Sequence, residues 1–206
     1  SAGDFILRIE DTDLERSNPK FEEEIKDSLD WLGLEWDEFY KQSERIKVYK
    51  KYLQKLLDEG KAFWCYHSVE ELEKEKEEQI KRKEAPRHVC EHKHGTWNME
   101  QKTRKGIIRL KVNENSTRVI HFNDIIRGII EWEERLIGDL SIAKDLDAPL
   151  YNFAVVIDDY ETKISHIIRG EDHISNTPKQ ILISEALGLP QPQYVHLPLI
   201  LGPDRT

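Results

Sequence analysis

Cys65-x-His67 and Cys90-x-His92 set two thiols and two imidazoles in a pair of short, matching spacings. Sulfur and nitrogen donors in that number meet the demand of a tetrahedral zinc ion. His88 and His94 flank the second pair and are alternative donors. The two cysteines are the only ones in the chain, so one disulfide is the counting alternative, and plain burial of two thiols is a third. In a reducing compartment a metal or burial is favoured over the disulfide. A second group with chemistry in it is Glu10-Asp11-Thr12-Asp13. It stands just past the strand-like Phe5-Ile6-Leu7-Arg8-Ile9, and open α/β sheets place their ligands beyond the C-terminal ends of strands. Carboxylates there can take a metal. Asp, Thr and Ser also start helices and turn chains, and on the residues alone both readings stand.

The elements that must carry these groups follow from periodicity. Asn18 suits a helix N-cap, Pro19 the first helical position, and Glu22, Glu23 and Glu24 the positive end of the helix dipole. Phe21, Ile25, Leu29 and Leu32 recur at helical spacing up to Gly33, which predicts a helix with a core-facing stripe. A second helix is expected from about Ser43 to Leu57, with Ile46, Tyr49, Tyr52, Leu53, Leu56 and Leu57 buried and Gly60 as its stop. The charged stretch from Glu70 to Lys83 reads as a solvated helix, and short strands are expected at residues 107–112, 119–122 and 129–132. The apolar run from Phe153 to Ile157 ends in Asp158-Asp159. Lys163 to Arg169 reads as a strand buried on both faces. Thr177-Pro178 opens a helix that Gly188 closes. Strands and helices thus alternate at both ends around a mixed middle, which gives an α/β class.

With 206 residues, 38% of them hydrophobic, the chain can bury a core as one domain or two closely joined ones. A formal charge of -9, from 31 Lys and Arg against 40 Asp and Glu, rules out a global electrostatic footprint for nucleic acid but leaves room for a local basic stripe. No apolar run approaches the roughly 18 residues needed to span a bilayer, so no membrane partner and a cytoplasmic location are expected. Ser1-Ala2-Gly3 gives the first strand almost no lead-in, and the chain stops in a turn at Gly202-Pro203-Asp204-Arg205-Thr206. It reads as an internal fragment.

Four blocks carry a resemblance. They are Leu7-Arg8-Ile9-Glu10-Asp11-Thr12-Asp13-Leu14-Glu15-Arg16 continued by Trp31-Leu32-Gly33-Leu34, then Tyr151 through Asp159, Ile168 through Gln180, and His196-Leu197-Pro198-Leu199-Ile200. Together they resemble, in order, the catalytic domain of bacterial-type glutamyl-tRNA synthetases of class I. The resemblance implies a Rossmann-like core in two sequence halves, residues 1–62 and 148–206, interrupted at 63–147 by a mixed α/β insertion that binds the tRNA acceptor stem. It implies an enzyme that joins L-glutamate and ATP, with Mg2+, into glutamyl-adenylate and transfers the acyl group to the 3′ end of tRNA(Glu). By family likeness Glu10 holds the α-ammonium of glutamate and Arg169 its side-chain carboxylate, while Tyr151 and Asn152 line the same pocket. Asp172, His173, Leu199 and Ile200 fall at positions near ATP.

Some bacterial members of the family carry a zinc ion where Cys65, His67, Cys90 and His92 stand, although their sites are richer in cysteine at the position of His67. Lys81, Arg82, Lys83, Arg87, Lys102, Arg104 and Lys105 are candidate phosphate contacts in the insertion, or solvated charge beside its acids. The His-Ile-Gly-His-like and Lys-Met-Ser-Lys-Ser-like signatures of the family do not occur in these 206 residues. The isolated chain is therefore expected not to activate glutamate. Rival readings are a paralogue that glutamylates a modified base of tRNA(Asp), and a non-catalytic tRNA-binding module derived from a synthetase.

Overall fold

The computed structural model describes residues 3–12, 17–95, 105–200 and 202. Strand β1 (Ile6–Ile9) pairs in parallel with β2 (Glu38–Lys41), Ile6 opposite Glu38 and Ile9 opposite Lys41. Helix α1 (Pro19–Trp31) connects them, and its start is as the sequence predicts: Asn18 Oδ1 accepts the Lys20 amide at 3.0 Å, with Pro19 in the first turn. Its apolar stripe is different. No residue of α1 is buried among the described residues, and Phe21 is 55% and Ile25 43% exposed.

A 3-10 turn (Gln42–Arg45) leads into α2 (Ile46–Asp58), which buries Tyr49, Leu53 and Leu56 at the i, i+4, i+7 spacing of a core-facing helix. Strands β3 (Ala62–Cys65), β4 (Ile107–Leu110), β7 (Leu140–Asp145) and β8 (Ala148–Pro149) form an antiparallel sheet in the order β3-β4-β7-β8. Between β3 and β4 lies α3 (Val69–Lys81), opened by a reciprocal capping box of Ser68 and Glu71, with only Gln79 buried. It is the solvated helix its composition predicts.

The third sheet has four strands. Strands β5 (Val119–Asp124) and β6 (Gly128–Glu133) form a hairpin, and β10 (Gln193–Leu197) runs parallel to both β5 and β9 (His166–Gly170). Strand β9 is narrower in its burial than the sequence suggests. Among the described residues it is an edge strand with one neighbour, and Ile168 is 64% exposed where a strand covered on both faces was expected. The apolar run at 153–157 is the heart of α4 (Tyr151–Glu161), where Phe153, Ala154 and Ile157 are wholly buried, and α5 (Thr177–Leu187) ends at Gly188 with φ of 71°. That left-handed turn is one a glycine takes without strain.

One hydrophobic core joins α2, β4, β5, β7, α4, α5 and β10. Each fully buried Leu, Ile or Phe in it, such as Leu53, Ile142 and Phe153, contributes about 1.5–3 kcal/mol. The middle of the chain therefore shares its core with both flanks, and β5 joins the sheet of β9 and β10. A smaller cluster of Phe63, Cys65 and Cys90 stands apart from it. Among the described residues no helix is long and apolar enough to cross a membrane.

Candidate functional site

A cleft of about 480 Å³ opens between β1 and β9 and is lined by Arg8, Glu10, Tyr40, Tyr151, Asp159 and Arg169, among others. Arg8 belongs to β1 and Glu10 stands just past its end, and the two side chains meet in the cleft. Arg8 donates from Nη1 to Asp159 Oδ1 at 2.7 Å and from Nη2 to Glu10 Oε1 at 2.9 Å. Burial pushes the Asp159 carboxyl up, and the neighbouring guanidinium counters this without cancelling it. Both oxygens of the next carboxylate, Asp158, point the other way. Asp158 takes Gln42 Nε2 at 2.9 Å, Arg45 Nε at 2.8 Å and the Tyr49 hydroxyl at 2.9 Å, which ties α4 to the 3-10 turn and α2. Asp11 accepts both the amide and the hydroxyl of Ser43, at 2.9 and 2.7 Å. Asp11 thus reaches across to a residue 32 positions away, which is neither a local cap nor a cleft contact, while Glu10 faces the cleft and Asp13 lies outside the described residues.

Across the cleft, Arg169 is held by its strand and by a neighbour. Its Nε donates to His196 Nε2 at 3.1 Å and its Nη2 to Thr177 Oγ1 at 2.7 Å. Burial, with the charge of Glu10 adding to it, pushes the Tyr151 hydroxyl up, so it remains a protonated donor. Asn152 turns to Gln180, whose Nε2 it accepts at 3.0 Å, and does not line this cleft. Of the residues placed near ATP by resemblance, Asp172 lies 3.5 Å from His173, the His173 ring stands 6.0 Å from that of Tyr151, and the Leu199 amide donates to Glu171 at 3.2 Å. Ile200 is fully exposed.

The thiols and imidazoles converge elsewhere, at the end of β3. Ligand atoms of Cys65, His67, His88 and Cys90 all lie within 4.8 Å of one another. Cys65 Sγ is 3.5 Å from His67 Nδ1 and 3.6 Å from His88 Nε2, and Cys90 Sγ is 3.5 Å from His67 Nδ1. A tetrahedron with zinc–sulfur bonds of about 2.3 Å and zinc–nitrogen bonds of about 2.0–2.1 Å has sulfur–nitrogen edges of about 3.6 Å. The donor set therefore fits the ion. The bond from Cys90, with those from His88 and His67, holds the Cys65 thiol well below the ordinary thiol range despite its burial, while that same contact and burial push the Cys90 thiol up.

His88 takes the place in this cluster that the C-x-H spacing suggests for His92. His92 sits beside the cluster, its ring 4.5 Å from that of His67 and its Nδ1 accepting the Tyr66 amide at 3.1 Å. His94 is exposed. His88 is in turn oriented by Glu75, whose Oε2 lies 2.5 Å from His88 Nδ1. Burial works against a charged His88 ring, but the bonds with Cys65 and Glu75 outweigh it and raise its pKa. Asp139 fixes the backbone around Cys90, accepting the Cys90 amide at 2.7 Å and that of Val112 at 3.0 Å. Gly138 lets the chain pass: its φ is 69°, and a Cβ there would meet the His88 carbonyl oxygen at 2.7 Å.

Of the basic residues singled out in the insertion, Lys81, Arg82, Lys83 and Lys105 are exposed, Arg82 pairs with Glu84 at 3.3 Å, and Arg87 donates to the Arg135 carbonyl. Lys102 and Arg104 lie outside the described residues. Sequence reasoning assigned no site role to Arg8, Glu75, Asp124, Asp159, Thr177 or His196. Only Arg8 offered a local signal, its i, i+2 relation to Glu10; the others meet their partners through long-range contacts.

The comparisons agree with one another. The sequence profile described as "tRNA synthetases class I (E and Q), catalytic domain" matches residues 1–206. The chain is 49% identical over 209 residues to a glutamate–tRNA ligase of Hydrogenobaculum sp. (strain Y04AAS1), covering 99% of this chain and 44% of that protein. It is 50% identical over 208 residues to the glutamate–tRNA ligase of Aquifex aeolicus (strain VF5), again 99% of this chain and 44% of the relative. It thus spans less than half the length of these curated relatives. Among solved structures, a glutamate tRNA ligase from Elizabethkingia meningosepticum CCUG26117, in complex with its amino acid, superposes with a TM-score of 0.84 at 34% identity, covering 97% of this chain and 43% of that one. The glutamate–tRNA synthetase of Elizabethkingia anophelis gives a TM-score of 0.85 at 34% identity, covering 98% of this chain and 44% of that one. Matched along its whole length, the chain belongs to the class I tRNA synthetases for E and Q and is catalytic-domain sequence.

Proposed function

We propose that the protein carrying this chain is a glutamyl-tRNA synthetase, which activates L-glutamate with ATP and Mg2+ and transfers it to the 3′ end of tRNA(Glu). The observation that carries this reading is the pairing of opposite charges across one cleft: the Glu10 carboxylate on one side and the Arg169 guanidinium on the other. An amino acid with a second carboxylate presents an ammonium to the first and a carboxylate to the second. Arg8 occupies Oε1 of Glu10 and leaves Oε2 without a partner among the described residues, available to the substrate ammonium. A planar guanidinium takes a carboxylate through two parallel hydrogen bonds, which discriminates glutamate from its amide. Tyr151 closes the same cleft, with Asn152 behind it, and Asp172, His173, Leu199 and Ile200 border the ATP side.

The core in two halves, 1–62 and 148–206, is Rossmann-like, and 63–147 is the insertion that receives the tRNA acceptor end. Cys65, His67, His88 and Cys90 hold a structural zinc there, with His92 supporting the cluster from the side. The ion supplies cross-linking of β3 to the segment around Cys90 and no step of the reaction. ATP–pyrophosphate exchange by the complete protein tests the assignment: glutamate is expected to support it and glutamine is not. Arg169→Ala is expected to raise the KM for glutamate at least about tenfold, as loss of a charged hydrogen-bonded pair does. Equal exchange with glutamine, or an unchanged KM in the variant, refutes the reading.

A further inference from the structure

We propose that Asp124 and His196 are positioning residues for the amino-acid site: they fix the Arg169 guanidinium through a relay of hydrogen bonds in which every proton has one allowed place. The inference rests on the reading of Arg169 as the group that takes the substrate's side-chain carboxylate.

The three residues lie side by side on neighbouring parallel strands. Arg169 on β9 is in register with His196 on β10, and Asp124 ends β5, where its carboxylate takes the His196 amide at 3.0 Å. The direction of each bond follows from what each group can do. A guanidinium nitrogen can only donate, so His196 Nε2, 3.1 Å from Arg169 Nε, carries a lone pair and no proton. Thr177 agrees with this. Its Oγ1 accepts from Arg169 Nη2 at 2.7 Å and lies 3.2 Å from the same Nε2. The His196 proton is therefore on Nδ1, 2.7 Å from Asp124 Oδ2.

Asp124 is the fixed end of the relay. Its Oδ1 accepts the amides of Ile126 and Arg127 at 3.0 and 2.9 Å, so both oxygens are surrounded by donors and an ionised carboxylate is the form that satisfies all of them. The side chains of Asp124 and His196 are both 0% exposed, so water cannot replace a lost partner.

The consequence appears at the cleft. Nε and the adjoining edge of Nη2 are taken by His196 and Thr177, which leaves Nη1 and the outer hydrogen of Nη2 as a fork pointing away from the relay. That end-on fork is the edge a carboxylate can take with two bonds. Strand β5, which belongs by sequence to the insertion, thereby aims a specificity group of the core.

The test uses the complete protein and the glutamate and ATP dependence of pyrophosphate exchange. His196→Gln keeps an acceptor near the Nε2 position for Arg169 but loses the Asp124 contact; His196→Asn does the reverse. In Asp124→Asn the turn amides hold the amide oxygen, so its NH2 group faces the imidazole and drives the proton to Nε2, donor against donor at Arg169. His196→Asn and Asp124→Asn are expected to raise the KM for glutamate about tenfold or more, with the KM for ATP within about twofold and His196→Gln clearly less affected. A merely structural role would move the two His196 variants together, and equal effects on the glutamate KM overturn the proposal. If the buried variants do not fold, the near-isosteric Thr177→Val is read instead: it removes the Nη2 acceptor and is expected to raise the glutamate KM in the same selective way, an unchanged KM again overturning the proposal. Arg169→Ala separates the two levels. If it leaves the glutamate KM unchanged, the carboxylate reading itself fails; if it raises the KM while the relay variants do not, only the relay fails.

Discussion

Substituting His88 or His92, one at a time, decides which imidazole completes the zinc tetrahedron. His88 Nε2 stands 3.6 Å from Cys65 Sγ, at the ideal sulfur–nitrogen edge of about 3.6 Å, with its other nitrogen fixed by Glu75. His92 Nδ1 is already occupied by the Tyr66 amide, and its Nε2 is buried without a partner among the described residues. Structural zinc sites bind with roughly 10–16 kcal/mol spread over four ligands, so one ligand is worth roughly 2.5–4 kcal/mol. Water that fills the vacated position recovers part of this, and His88→Ala is expected to weaken zinc binding about 10²-fold. Glu75→Gln, which only loosens the orientation of the ring, is expected to cost about 10–100-fold. His92→Ala is expected to stay within about threefold of the parent, since it removes no ligand. Competition with a colorimetric chelator on the reduced, folded protein measures all three, and elemental analysis with a Cys90→Ser control establishes the stoichiometry. If His92→Ala loses the metal and His88→Ala keeps it, the geometric argument is wrong; if the parent binds no zinc, the four residues are packing and surface groups.

Three further outcomes are expected. Asp158→Ala removes an acceptor that is 1% exposed and leaves Arg45, Gln42 and Tyr49 facing an empty position, so urea unfolding should show about 3–5 kcal/mol of destabilisation; less than about 1 kcal/mol counts against the network. Burial opposes the charge of Asp124, but the amides of Arg127 and Ile126 and the His196 ring hold its carboxyl below the ordinary 3.8, so the stability it contributes is complete above 3.8 and is lost as pH falls through the lower folded value. Acid unfolding of Asp124→Asn should accordingly lack that part of the pH dependence, and a curve parallel to the parent's refutes the assignment. Gly138→Ala puts a Cβ against the His88 carbonyl at a φ of 69°, and both a lower Tm and weakened zinc binding are expected; a variant with parental Tm and affinity shows that this turn does not position His88.

Much of the architecture is legible in local sequence because its signals are local. Asn18 with Pro19, Gly60 and Gly188 mark helix ends by capping and backbone conformation alone, and the charged helix before Lys83 lies in solvent as its composition demands. What the sequence misplaces depends on neighbours. The stripe of Phe21 and Ile25 has the periodicity of a core face, yet the two side chains stay 55% and 43% exposed. The strand at 166–170 has the composition of a two-sided core strand but sits at a sheet edge. The structure groups His88, the alternative donor, with the two thiols and His67, and sets His92 beside them. Residues two apart share a face only where the chain is extended. Cys65, His67, His88 and Cys90 bring their donor atoms within 4.8 Å of one another, whereas His92 lies in the 3-10 turn Glu91–His94 and groups with His67 and Glu91. A repeated C-x-H spacing looks symmetric on paper and is not symmetric in space.

The placement of buried charge suggests why this cleft is built with ions. Its walls come from segments as far apart in sequence as Arg8 and Arg169, and apolar packing alone tolerates small slips of one element past another. Asp158 and Asp159 remove that tolerance at a single point. They are consecutive residues of α4 with opposite assignments: Asp158 locks the helix to Gln42, Arg45 and Tyr49, and Asp159 locks the same turn to Arg8 and through it to Glu10. Rotating α4 to relax one contact breaks the other. Exchanging the Asp158 network for well-packed apolar groups could leave stability unchanged or raise it. It would also release the constraint that sets Glu10 against Arg169, so the geometry of the charge pair, more than the stability of the fold, is what these buried carboxylates secure.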